Sequence, residues 1–317
     1  MTPHPHPSIA VSAASFAKHA TLVQELERLG LPVKLNTTGR VLGTAELVAF
    51  IDGAAVAIVG TERIDATVLD ACPALRFIAK YGVGLDNLDL PLLSRRNIGL
   101  GWTGGINRRS VSELVLAFAL GHFHRVNAAV SEMRQGLWVK NGGVQLSNLT
   151  VGIVGLGHVG SDLAGLLKHL TPHIVYCDIA DKSADAKLLG IPSVSYDELI
   201  RRCDLITFHV PATAATKGMF NAKTIAMAKN NALIINTSRG GVVDVDATCQ
   251  AVVEHKLGGF AADVFPEEPA DMRRWAACDR LYFTPHIGGN TTEAVLAMGR
   301  AAIDHVQVYL RNSVAAL

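Results

Sequence analysis

From Ser8 to about Gly101 the chain alternates helical and extended patterns. "FAKHATLVQELERLG" spaces its apolar residues at helical intervals and stops at glycine, which predicts one helix. "DATVLDACPAL" predicts another, with Asp65 near its N-cap and Pro73 interrupting it. "AAVAIVG", "RFIAKYGVG" and "NIGLGW" are short apolar runs bounded by glycine or polar residues, the marks of strands. Helices alternating with buried strands imply a small α/β unit with a parallel sheet.

A long helical stretch, "NRRSVSELVLAFALGHFHRVNAAVSEMRQG", then separates this unit from a second strand–turn–helix pattern, "LTVGIVGLGHVGSDLAGLLKHL". Further strands follow in "HIVYCD", "CDLITFHV", "NALIINTS", "LGGFAADVF" and "LYFTPHIGG". They sit between helical segments, as a doubly wound sheet requires. "TTEAVLAMGRAAIDHVQVYLRNS" predicts a last amphipathic helix.

Composition narrows the function classes. A chain of 317 residues favours two domains over one. Its 29 basic and 28 acidic side chains balance without a basic cluster, which argues against nucleic acid or an anionic membrane as partner. No apolar stretch is long enough to cross a bilayer, and the start lacks the pattern of a signal peptide. Cys72, Cys177, Cys203, Cys249 and Cys278 are scattered without a C-x-x-C pair, so they read as reduced thiols of a cytoplasmic protein with no metal site. His4 and His6, among prolines, read as a frayed terminus and not as ligands.

Gly155, Gly157 and Gly160 follow an apolar strand and open a helix. There the first glycine permits a tight turn, the second lets backbone approach a pyrophosphate, and the third lets helix and strand pack closely. His158 and Val159 offer helix-start N–H groups to the anion. Asp178 ends the next strand, where a carboxylate accepts ribose hydroxyls and repels a 2′-phosphate. Ile179 and Ala180 beside it provide no arginine, so the expected cofactor is NAD.

"KYGVGLDNLDL", "GGINRRSVSELVLAFAL", "NTSRGGVVD", "ADVFPEEP" and "TPHIGG" occur in an order that resembles the D-isomer-specific 2-hydroxyacid dehydrogenases, most of all their phosphoglycerate-dehydrogenase-like branch. The resemblance runs from about Ala54 to Asp304. It implies two Rossmann-like α/β domains with parallel sheets, a flavodoxin-like substrate domain and a doubly wound NAD-binding domain. The first spans 1–103 plus 288–317 and the second, inserted into it, spans 104–287. That insertion explains why the glycine turn stands so far along the chain.

Carried onto this sequence, the resemblance assigns Arg239, Glu268 and His286 to catalysis. Reducing a 2-keto acid needs a proton for the carbonyl oxygen. Histidine suits that task, a carboxylate steadies its ring, and arginine's planar fork matches the substrate carboxylate. The resemblance places Gly82, Val83 and Gly84 on the substrate carboxylate, with Asn87 in the same loop. It puts Asp263 on the nicotinamide carboxamide and Thr237 and Ser238 near the nicotinamide ribose. The loop from His209 through Val210 and Pro211 passes the adenosine side, and Gly288 lies beside the cofactor. Lys80 either faces a phosphate on the substrate or is a solvated strand-end lysine; both readings stay open. So does exposure of Arg108 and Arg109 to the same cleft.

The implied activity is transfer of hydride between NAD(H) and a small 2-keto or 2-hydroxy acid, with or without a tail as in 3-phosphoglycerate or phosphonopyruvate. Two alternatives remain: phosphite oxidation, which uses a similar Arg–Glu–His set, and a non-catalytic NAD-sensing co-repressor scaffold. Formate oxidation pairs its histidine with glutamine, and Glu268 argues against it. The family also implies a homodimer, through the "NRRSVSELVLAFAL" helix and the segment around Trp138. Three departures stand out: Gly104 replaces a usual proline, Asn290 replaces a small residue, and no appended regulatory domain for serine feedback is expected.

Overall fold

The computed structural model describes residues 8–315, which divide into two compact units, one running to residue 107 and resuming at 292, the other spanning 108–291. His4 and His6 lie outside the described residues. The first unit runs β1 (Ile9–Val11), α1 (Ala14–Ala17), α2 (Ala20–Glu27), β2 (Val33–Leu35), α3 (Thr44–Ile51), β3 (Val56–Val59), α4 (Ala66–Ala71), β4 (Phe77–Lys80), α5 (Leu90–Arg95) and β5 (Gly99–Gly101). All its strands pair in parallel, in the order β2-β1-β3-β4-β5. That is the flavodoxin-like arrangement. Asp65 caps α4 as expected, accepting from the amides of Thr67 and Val68. Such a cap is worth about 1 kcal/mol. The single helix expected over "FAKHATLVQELERLG" is instead two, because the chain leaves helical geometry at His19, which precedes α2 in an extended conformation.

The second unit opens with α6 (Arg108–Phe123) and α7 (Val126–Arg134). These too were expected as one helix; Arg125 breaks it with a left-handed φ of 55°. There follow β6 (Val151–Val154), α8 (His158–Leu167), β7 (Ile174–Cys177), α9 (Ser183–Leu189), α10 (Tyr196–Arg202), β8 (Leu205–Phe208), α11 (Ala222–Ile225), β9 (Leu233–Asn236), α12 (Val245–Val253), β10 (Gly259–Ala262) and β11 (Leu281–Phe283). The six strands are parallel, ordered β11-β10-β9-β8-β6-β7. Strand order reverses beside β6, so the C-terminal ends of β6 and β8 form the switch point where such sheets bind ligands. Apolar clusters cover both faces, one built around Phe208, Phe220 and Phe260 and the other around Leu163, Leu167 and Ile235.

The last helix, α13 (Thr292–Ala315), belongs to the first unit. It packs Met298, Ala302, Ile303 and Val306 with the side chains of β1, β3 and β4. Tyr309 stacks on Phe77 at 4.5 Å between ring centroids, and Arg300 pairs with Glu25 at 2.8 Å. Among the described residues no helix is long and apolar enough to cross a membrane.

Candidate active site

The turn after β6 has the geometry its glycines imply. Gly155 has φ 94°, and a Cβ there would stand 2.6 Å from the His209 carbonyl oxygen. A Cβ on Gly160 would stand 2.0 Å from the Gly155 carbonyl oxygen, so helix and turn touch backbone to backbone. At Gly157, the residue preceding α8, no atom lies within 4 Å of that position, which leaves backbone open toward a ligand at the helix start. His158 and Val159 are the first residues of that helix. Asp178 follows β7, and its Oδ2 accepts from the Leu156 amide at 2.7 Å while Oδ1 accepts from Ala180 at 2.9 Å. The carboxylate is thus fixed against the glycine turn, beside a fully exposed Ile179.

On the other side of the switch point, His209 shares a 2.9 Å hydrogen bond with Thr207 Oγ1. Burial pushes its imidazole down to about 3, so it is neutral at physiological pH and unsuited to proton transfer. The loop continues through Val210 to Pro211, whose carbonyl accepts from Thr216 Oγ1 at 2.5 Å.

The "NTSRGG" loop after β9 is shaped by a residue the sequence reasoning passed over. Asn236 is fully buried; its Oδ1 accepts from the amide and hydroxyl of Ser238, and its Nδ2 donates to the Arg239 carbonyl. An asparagine at a strand end with serine two residues on is the signature of such an Asx turn. Arg239 Nη1 donates to the Ser238 carbonyl at 2.7 Å. Gly240 then lies directly against the Phe265–Pro266 backbone, where a Cβ would stand 1.9 Å from the Phe265 carbonyl carbon. That contact sets the arginine loop beside the loop bearing Glu268. Thr237 Oγ1 is buried with no hydrogen-bond partner among the described residues.

Glu268 Oε2 meets His286 Nδ1 at 2.7 Å, while Oε1 accepts from the Phe265 amide at 2.9 Å. Both side chains remain partly exposed, and with Nδ1 on Glu268 the imidazole has Nε2 as its other nitrogen. His286 has φ 54°, a left-handed conformation that non-glycine residues take up only where their surroundings hold them. The holding group is Asp263. Its Oδ1 accepts from Thr284 Oγ1 at 2.6 Å and the Ile287 amide at 2.7 Å, and its Oδ2 from the Gly288 amide at 2.7 Å. Asp263 is 1% exposed, so its local part is to anchor the histidine loop, a task not foreseen for it. Asn290 returns its Nδ2 toward the His286 carbonyl at 3.4 Å.

Lys80, Asn87 and the turn of Gly82, Val83 and Gly84 belong to the first unit. Lys80 is 5% exposed and donates from Nζ to the Gly60 carbonyl, so the solvated reading of it is overturned. Asn87 Nδ2 donates to the carbonyls of Gly60 and Glu62, and buried Glu62 accepts from the Gly60 amide at 2.6 Å. These bonds tie the turn after β3 to the loop after β4, which carries Gly82, Val83 and Gly84. Gly82 has φ 122°, and Trp102 Nε1 donates to the Val83 carbonyl at 3.0 Å. In the second unit, Arg109 pairs bidentately with Asp162, both contacts at 2.9 Å, with Arg108 3.9 Å from the same carboxylate. Burial raises the Asp162 carboxyl, but the bonds from Arg109 and Ser112 outweigh it and hold it below the usual range.

The model of the D-isomer specific 2-hydroxyacid dehydrogenase NAD binding domain matches residues 116–288. The D-3-phosphoglycerate dehydrogenase of Haemophilus influenzae is 35% identical over 239 residues, 73% of this chain, and the match spans 58% of that protein's length. The glyoxylate reductase of Thermococcus litoralis is 32% identical over 263 residues, 80% of each chain. A solved protein of Thermus thermophilus superposes with a TM-score of 0.86 at 29% identity, covering 96% of this chain and 97% of its own.

Proposed function

This chain belongs to the D-isomer specific 2-hydroxyacid dehydrogenase family, with NAD as cofactor, and on that premise we propose that it interconverts a small 2-keto acid and its D-2-hydroxy acid. The observation that carries the proposal is the His286–Glu268 pair at 2.7 Å, on a loop anchored by Asp263 and next to a segment packed against the Arg239 loop. NAD supplies the hydride donor or acceptor. The open backbone at Gly157, the fixed carboxylate of Asp178 and the unpartnered Thr237 hydroxyl suit its pyrophosphate and its two riboses. Val210, Pro211 and Ser238 are carried as further cofactor contacts.

In the reductive direction His286, its Nδ1 held by Glu268, donates a proton from Nε2 to the carbonyl oxygen of the substrate. In the oxidative direction the same nitrogen takes the hydroxyl proton. Arg239 binds the substrate carboxylate and polarises the carbonyl. The turn of Gly82, Val83 and Gly84, with Lys80 and Asn87 beneath it, is carried as the substrate-binding part of this reading. A relative named phosphoglycerate dehydrogenase and one named glyoxylate reductase match at similar identity, so acids with and without an anionic tail both belong to the candidate set.

The homodimer that the resemblance implies is proposed through α6 and the segment around Trp138, with exposed apolar residues of α7 lying between them in the chain. Met133 is 54% exposed and Trp138 76%, and Val126, Val130 and Leu137 are exposed as well, apolar side chains that a partner surface could cover. All five cysteines are unpaired, which fits a cytoplasmic setting. The deciding experiment follows NADH consumption across 2-keto acids with and without phosphate or phosphonate tails, and NAD reduction with D-2-hydroxy acids and phosphite. Turnover of a keto acid is the expected result. Tight NADH binding with no turnover of any candidate would replace the enzyme by a scaffold.

A further inference from the structure

The first turns of α6 touch both halves of the site in unit two, yet none of their residues has a role in the reading above. Ser110 is buried, and its Oγ donates to the Gly288 carbonyl at 2.6 Å. The Gly288 amide is already held by Asp263, so this one peptide-bonded residue is clamped from both sides. A Cβ on Gly288 would stand 2.8 Å from Asp263 Oδ2 and about 3.5 Å from Leu114 and Val111 of α6, so the anchoring carboxylate and that helix both pack against this residue. Two residues before it stands His286, in its left-handed conformation.

The same stretch of α6 is fastened to the helix at the cofactor turn. Arg109 pairs with Asp162 of α8, and Ser112 Oγ donates to the Val159 carbonyl at 3.4 Å, one residue into that helix. Neighbouring residues of one helix thus bond the glycine-turn helix on one side and the histidine loop on the other. We propose that Ser110 is a positioning residue that registers His286 against the cofactor-binding turn, using α6 as the rigid member between them. A hydroxyl serves here because the acceptor is a backbone carbonyl in a dry setting, reached by a short side chain that leaves the helix intact. The role rests on the proposed activity insofar as His286 moves the proton. The clamp itself does not.

The test compares Ser110→Ala with Ser110→Thr, which keeps the hydroxyl. Misplacing a reacting group by a fraction of an ångström to one ångström costs on the order of tenfold to a hundredfold in rate. Ser110→Ala is therefore expected to lower kcat by about tenfold while KM for NADH stays at the wild-type value, because the bonds to α8 remain. Ser110→Thr is expected to restore most of kcat. In the protein without ligands, the 15N signals of the His286 imidazole are expected to move in the alanine variant and return in the threonine variant. If Ser110→Ala does not fold, Ser110→Cys, near in shape with a far weaker donor, carries the same expectation. Unchanged kcat and unchanged imidazole signals in a folded alanine variant would overturn the proposal, as would a loss that threonine does not recover. A wild-type protein without turnover sinks the assigned activity, and the imidazole signals then still decide the clamp.

Discussion

Replacing Asp263 by asparagine changes one atom and tests the anchor beneath the histidine loop. The carboxylate accepts three short hydrogen bonds, two at Oδ1 and one at Oδ2. Asparagine has a single acceptor oxygen. Turned toward Thr284 and the Ile287 amide, it sets its NH2 group against the Gly288 N–H, donor facing donor. One bond to a charged group is lost, worth roughly 1.5–3 kcal/mol, and a buried N–H left unsatisfied adds roughly 1–3 kcal/mol. Removing a buried charge returns part of its desolvation cost, so the net expectation is on the order of 3 kcal/mol. Urea unfolding followed by circular dichroism reads the global loss as a lower midpoint at unchanged slope. Hydrogen exchange in the peptide carrying Ile287 and Gly288 reads it locally, with protection falling by about a hundredfold, the equivalent of roughly 3 kcal/mol. An Asp263→Asn variant with the wild-type midpoint and unaltered exchange at that peptide would refute the three-bond anchor and the account of why His286 tolerates its backbone.

Arg239→Ala is expected to raise KM for the keto acid and lower kcat together, whereas His286→Ala chiefly lowers kcat; steady-state kinetics with saturating NADH checks both, and unchanged values for either variant reject its role. Asp178→Ala is expected to weaken NADH binding by roughly tenfold to a hundredfold through lost charged hydrogen bonds, with a smaller effect on NADPH, read as the ratio of kcat/KM for the two cofactors. His122 supplies a pH test of stability. Burial first, and Arg280 second, push its imidazole down to about 4, well below the unfolded value, while it bonds the Tyr282 hydroxyl. The unfolded chain therefore takes up a proton that the native state refuses. Stability is full above the unfolded pKa and is lost as pH falls toward about 4. Between about pH 7.5 and about pH 4.5 the loss from this group is roughly 2–3 kcal/mol. His122→Gln should flatten the urea midpoint against pH by that amount, and an equal slope in both proteins would reject the assignment.

The parts legible in sequence were those with short range. Apolar runs four residues long became buried strands, Asp65 became a cap because its partners lie two and three residues on, and Gly160 meets the Gly155 carbonyl only five positions back. The strands β1 and β2 were not picked out individually; β2 carries Lys34 between half-buried neighbours and has no unbroken apolar run to mark it. Both over-long helices failed at single residues, His19 and Arg125, whose conformations no periodicity encodes. Lys80 was undecidable because the sequence does not say that the Gly60 carbonyl, 20 positions earlier, stands within reach of its ammonium.

The residues proposed for catalysis were reached through the family resemblance, but what aims them was not legible. Asp263 reaches Thr284, Ile287 and Gly288 across 21 to 25 positions, and Ser110 reaches Gly288 across 178. Such contacts follow from sheet order: β10 and β11 lie side by side in parallel, so the residues just past their ends share one edge of the sheet. An aspartate leaving β10 therefore stands beside a loop leaving β11, whatever lies between them in sequence. The imidazole's conformation is thus a property of that adjacency. A histidine on the same motif without a buried acceptor at the end of the neighbouring strand would lose the left-handed turn that presents it.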